Sequence, residues 1–147
     1  MTTTRWGETD VAFEYVALHD ALIERIDIEP GRVTFAVDFV RLRSGHPANV
    51  LGETAIATSA VLVLEDVVGS VGRRFDDANH HWVELPSPLE VVAGTSILDC
   101  AEHRRDDGFR VYEFEGFQAR TGTALEWTVT ARRFALKWNS AMHRWKR

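Results

Sequence analysis

Two stretches of the chain alternate strictly between apolar and polar residues. Val33, Phe35, Val37 and Phe39 alternate with Arg32, Thr34, Ala36 and Asp38, and Leu125, Trp127, Val129 and Ala131 alternate with Glu126, Thr128, Thr130 and Arg132. Successive side chains on a strand point to opposite faces, so each stretch has one apolar face and one mostly polar face. That pattern belongs to antiparallel sheet with one side solvated.

Turn signals between such stretches place the strands. A strand over 21–28 meets Pro30-Gly31, where proline presets the first turn position and glycine accepts positive φ at the second. The strand 32–39 then returns as a hairpin. Residues 44–52 are rich in breakers and read as loop. A long strand covers 54–66, apolar on both faces near its end and therefore central. Residues 67–88 hold Gly69, Gly72, Asp76, Asp77, Asn79, Pro86 and Pro88 and read as one long irregular loop; such loops are usually functional or mobile. The last third is a meander: 95–103, a turn at Asp106-Asp107-Gly108, 109–120, a turn at Thr121-Gly122, then 124–138. The inward set slips phase at Gly116 and again across Arg132-Arg133, which predicts bulges that curl the sheet. Residues 9–22 read as a short helix or an irregular lead-in, because Val11, Tyr15, Leu18 and Leu22 keep helical spacing while Phe13, Val16 and Ile23 do not.

The prediction is thus one domain over residues 1–147, all-β or β-rich α+β. Its antiparallel meander has six or seven strands, curled into an open barrel or two layers, with any helix confined to the N-terminal lead-in and the region around residues 87–92. At 147 residues, 45% apolar and 27% charged, the chain can bury a core without staples. No apolar leader or membrane-length run is visible, and Cys100 is the sole cysteine, so no intramolecular disulfide forms. These features fit a cytoplasmic protein. The net charge of −5 argues against broad nucleic-acid binding. The basic C-terminal cluster of Lys137, Arg144, Lys146 and Arg147 reads as a solvated tail.

Motifs of catalysis are sparse. Six histidines are present, none in an HExxH or beside paired cysteines. A site from His80, His103 and Asp76 or Asp77 would have to be made by the fold, so neither metal nor cofactor is expected. The segment 68–74, with two glycines and Arg73-Arg74, lacks the ending of a phosphate-binding loop. The carboxylates read as scattered. His19 and Asp20, at the entry to a strand, can satisfy backbone groups and fix a corner; the alternative is a His–Asp proton relay. Trp127 shares its face with Leu125, Val129 and Ala131 and is assigned to the core.

Leu18-His19-Asp20-Ala21, followed by Ile23-Glu24-Arg25-Ile26, a turn and a Val-x-Phe strand, resembles the opening of several small β-rich bacterial families of unknown function. Some of these resemble immunity proteins encoded beside polymorphic toxins. The Trp127-x-Val-x-Ala stretch with Trp138 beyond it is similar to how such chains end. The resemblance implies a non-enzymatic module that binds a protein partner through an acidic surface and the loop 67–88. Within that loop Asp76 and Asp77 would steer, and His80, His81 and Trp82 would supply contacts. Two alternatives stay open: a small-ligand β-barrel with Trp82, Trp127 or Phe117 lining a cavity, and an enzyme seeded by His19 and Asp20.

Overall fold

The computed structural model describes residues 7–9, 16–42, 55–57, 59–85, 92–138 and 142–144. Every element among them is a strand, and all strand pairs are antiparallel. In chain order they are β1 (Gly7–Thr9), β2 (Val16–Ala17), β3 (Leu22–Glu29), β4 (Arg32–Asp38), β5 (Val40–Leu42), β6 (Ala55–Ala57), β7 (Ala60–Glu65), β8 (Gly69–Asp76), β9 (His81–Glu84), β10 (Thr95–Arg104), β11 (Arg110–Gln118), β12 (Ala124–Ala131), β13 (Arg133–Trp138) and β14 (Met142–Arg144). Ten form one open sheet in the order β1-β13-β7-β4-β3-β10-β11-β12-β8-β9, and four form a second in the order β14-β6-β5-β2. The helical readings fall partly on residues 10–15 and 87–91, outside the described residues; the part of the lead-in within them is strand β2 and a turn.

The strands exceed six or seven because long strands are creased. The small sheet repeats the order β13-β7-β4-β3 of the large one, so each of its strands is the continuation of a strand across a line of bends. Three non-glycine residues with positive φ mark that line: Asp20 (67°), Phe39 (63°) and Ser59 (55°). The left-handed region costs an L-residue about 1–2 kcal/mol, so these bends are imposed by the fold. At Phe39 the Asp38 carboxylate compensates by accepting the Phe39 N–H at 3.0 Å. The predicted strand 54–66 is accordingly two strands, β6 and β7, in different sheets.

The large sheet folds on itself. β3 and β10 share a single register pair, Leu22 with Ser96, so the sheet turns sharply there. On the far side two strands pass from one half into the other: β7 continues into β8 through Asp66 (φ 56°), and β12 into β13 through Arg132. The inner faces then meet. Phe35 of β4 approaches Phe114 of β11 (ring centroids 5.9 Å apart), and Tyr112 of β11 meets Phe134 of β13 edge-on at 6.2 Å. Trp127 stacks on Phe114, its cross-strand partner, with centroids 5.2 Å apart and planes 8° from parallel. Val33, Leu62, Leu64, Val129 and Leu136 complete this core.

The phase slip at Arg132 lies where the pattern put it: Ala131 and Phe134 are both buried and the chain bends between them. The slip at Gly116 does not. β11 pairs with β12 without interruption, and the bulge lies on β10, where Leu98 is the extra residue opposite the Gly116 region. Gly116 is needed for a different reason: a Cβ there would collide with the Ser96 carbonyl oxygen. A second bulge interrupts β3 between Ile23 and Arg25.

The largest correction concerns residues 67–88. They are not one irregular loop: within the described part, β8 and β9 make a hairpin that extends the sheet past β12. β8 is exposed along most of its length, and only Gly72 is buried. Without a buried face it carries no apolar alternation, and its glycines and arginines mimic a loop.

Candidate functional site: an acidic groove on the outer face

Many polar positions of β10, β11, β12, β8 and β9 face outward on the same side of the half-sheet. Register aligns five of them into one row: Asp99 opposite Glu115, Glu115 opposite Glu126, Glu126 opposite Arg73, and Arg73 opposite Glu84. Neighbouring strands lie ~4.8 Å apart, so the row spans roughly 19 Å across the strands. Glu113 and Thr128 lie in the next row, with Val71 beyond them on β8. These side chains line an open groove of about 730 Å³, which holds five carboxylates and one guanidinium.

One wall is aromatic. Trp82 on β9 is half-buried, held edge-on by Phe75, its cross-strand partner, with ring centroids 5.4 Å apart. The Arg73 guanidinium lies over the Trp82 ring at 4.7 Å, donates through Nε to Glu126 Oε2 (2.8 Å), and places Nη2 2.7 Å from the same oxygen. At the other end His103 Nε2 lies 3.0 Å from Glu113 Oε2.

Of the residues singled out in the hairpin, only Trp82 lines this groove. Asp76, Asp77, His80 and His81 sit at the β8–β9 turn. Asp76 is occupied there: its carboxylate accepts the backbone N–H of Ala78 (3.1 Å) and Asn79 (3.3 Å) and the Asn79 side-chain amide (2.8 Å). The Asn79 amide is the main cause holding its carboxyl below the usual aspartate range. Asp77 and His80 are exposed, and His80 has a positive φ of 54°. His81 is exposed too, its Nδ1 3.3 Å from the Asn79 carbonyl oxygen.

His80 and His103 are not brought together. His103 is in line with Gly69 at the start of β8, and the turn follows Asp76 at its end. Seven residues of strand separate those positions, roughly 23 Å. Among the described residues no three His, Cys, Asp or Glu side chains gather as a metal site.

His19 and Asp20 form the corner between β2 and β3. The His19 Nδ1–H donates to the Leu98 carbonyl at 2.5 Å, at the bulge, and the Asp20 N–H donates to the Ile97 carbonyl at 2.8 Å. His19 Nε2 is 3.5 Å from Asp20 Oδ2, with both side chains more than half exposed. Trp127 is 2% exposed and points into the core, and Phe117 is half-buried. Cys100 is partly buried against the core.

The inner face carries an ion pair at the end of the core. Glu102, with only 10% of its side chain exposed, takes Arg110 Nη1 at 3.2 Å. Burial first, and the neighbouring Glu102 second, push the Tyr112 hydroxyl above its usual range.

Reading the sequence missed Arg73, Glu84, Asp99, Glu113, Glu115 and Glu126 as a group. The signal was present as the polar half of each alternating strand, but only the register turns scattered carboxylates into a row. No protein-family model, no curated protein and no solved structure matches this chain.

Proposed function

We propose that the protein is a non-enzymatic binding module whose acidic groove receives a basic segment of a protein partner. The observation that carries this reading is the row itself. Like charges directly opposite one another across strands are destabilising, yet Asp99, Glu115 and Glu126 stand in successive register on three adjacent strands. A cationic partner relieves that repulsion, and long-range attraction from the groove speeds its arrival. An immunity-type role, in which the module occludes a partner, is compatible with such a face.

The hairpin contributes differently from a mobile loop. It supplies Trp82 as a wall and carries Arg73 beside it, and its turn residues stand clear of the groove. His19 and Asp20 do not line the groove, so the proton-relay reading draws no support from it. Trp127 and Phe114 fill the space between the half-sheets by stacking on one another, which disfavours a ligand-holding interior.

The test uses Asp99→Asn with Glu115→Gln, which removes two charges from exposed positions. Binding of a fluorescent nona-arginine peptide is followed by anisotropy at low and moderate salt. The parent should bind in a salt-sensitive way, and the double variant should bind at least about tenfold more weakly with a melting temperature equal to or above the parent's, since the cross-strand repulsion is relieved. Equal binding by both proteins overturns the proposal.

A further inference from the structure

The groove already contains a cation of its own. Among the described residues Arg73 is the only basic one lining it, and it lies between the Trp82 face (4.7 Å) and the Glu126 carboxylate (2.7 and 2.8 Å). A flat guanidinium over an indole, with a carboxylate at its edge, is a recognition arrangement for arginine; an ammonium cannot spread over the ring in the same way. We propose that Trp82 and Glu126 form an arginine seat, that Arg73 plugs it in the free protein, and that the partner's segment presents an arginine that displaces the plug. This rests on the groove being the binding face and adds which cation it selects and what holds the seat closed.

Two details of geometry fit a displaceable plug. Both Arg73 contacts fall on one carboxylate oxygen, Oε2. The fork-to-fork pairing, with one nitrogen for each oxygen, is therefore not made, whereas an incoming arginine free of the strand can make it. The Arg73 side chain is also half exposed, so swinging it out uncovers the seat without disturbing the core. Glu84, opposite Arg73 on β9, stands ready to receive the displaced guanidinium.

Removing Arg73 also makes the face more acidic, so the test separates vacancy from charge. Arg73→Lys keeps the charge and gives up the planar stack. Arg73→Gln removes both. Arg74→Gln makes the same charge change at an exposed neighbour that does not line the groove. Nona-arginine and nona-lysine peptides are titrated against the parent and the three variants by fluorescence anisotropy at fixed salt.

The parent should prefer nona-arginine. Arg73→Lys should tighten nona-arginine by about three- to fivefold at unchanged protein charge, with a smaller change for nona-lysine. Arg73→Gln should tighten it more than Arg74→Gln does. If Arg73→Lys leaves affinity unchanged or lowers it, or if Arg73→Gln and Arg74→Gln act alike, the plug is refuted while the groove reading stands. If the parent binds neither peptide, or the Asp99→Asn, Glu115→Gln protein binds as well as the parent, both readings fall.

Discussion

Replacing Trp127 by alanine tests the account of the core most directly. The indole is 2% exposed, stacks on Phe114 and shares its inward face with Leu125, Val129 and Ala131. Removing about 200 Å² of apolar side chain from the core at ~25 cal/mol per Å² corresponds to about 5 kcal/mol as an upper bound. Truncations of this kind cost about 3–5 kcal/mol once the cavity partly collapses. For a chain of this size each kcal/mol lowers the melting temperature by roughly 2–4 °C. Trp127→Ala should therefore melt about 6–20 °C below the parent, or fail to fold. Trp127→Phe separates packing from polarity. Among the described residues Nε1 of Trp127 is buried with no hydrogen-bond acceptor, and a buried unpaired donor costs about 1–3 kcal/mol. Phenylalanine removes that donor and keeps most of the ring, so it should recover more than half of the alanine loss. Thermal unfolding followed by near-ultraviolet circular dichroism measures both. A Trp127→Ala protein within about 2 °C of the parent would refute the packing argument, and a Trp127→Phe protein as unstable as the alanine variant would refute the polar part of it.

Two further outcomes are expected. The Arg133 guanidinium bonds Glu65 at 2.8 and 3.0 Å, with Arg32 at 3.6 Å, and holds the Glu65 carboxyl below its usual value of 4.5. A depressed folded value means that the stabilisation is complete above about pH 4.5 and lost as pH falls through the folded value. Glu65→Gln should thus be about 0.5–1 kcal/mol less stable than the parent at pH 7 and converge with it in acid, by urea titration at several pH values; a difference constant from pH 3 to 7 contradicts this. In the β8–β9 turn, Asp76→Ala should lower the melting temperature because three turn donors lose their acceptor, whereas Asp77→Asn should leave it unchanged. Equal effects in a thermal scan would mean that Asp76 does not organise the turn.

The sequence by itself determined the inside of this protein. A buried face must be apolar at every second residue, so β4 and β12, the register-setting Pro30-Gly31 and Asp107-Gly108 turns, and the inward Trp127 were all legible. Even the corner at Arg132 left a trace, because an extra residue shifts the phase of a stripe that has to stay buried. What periodicity cannot encode was decided by tertiary structure. β8 and β9 bury little, so nothing obliged their residues to alternate, and a hairpin looked like a loop. The crease through Asp20, Phe39 and Ser59 is a matter of backbone dihedrals that no apolar pattern records. The bulge fell on β10 and not on β11, because a phase slip in one strand can be absorbed by its partner. The acidic row followed from the same limit. Asp99, Glu115, Glu126 and Glu84 lie on four different strands, and each is unremarkable on its own solvated face. Only hydrogen-bonded register, a property of pairs of strands, sets them side by side and puts Arg73 among them.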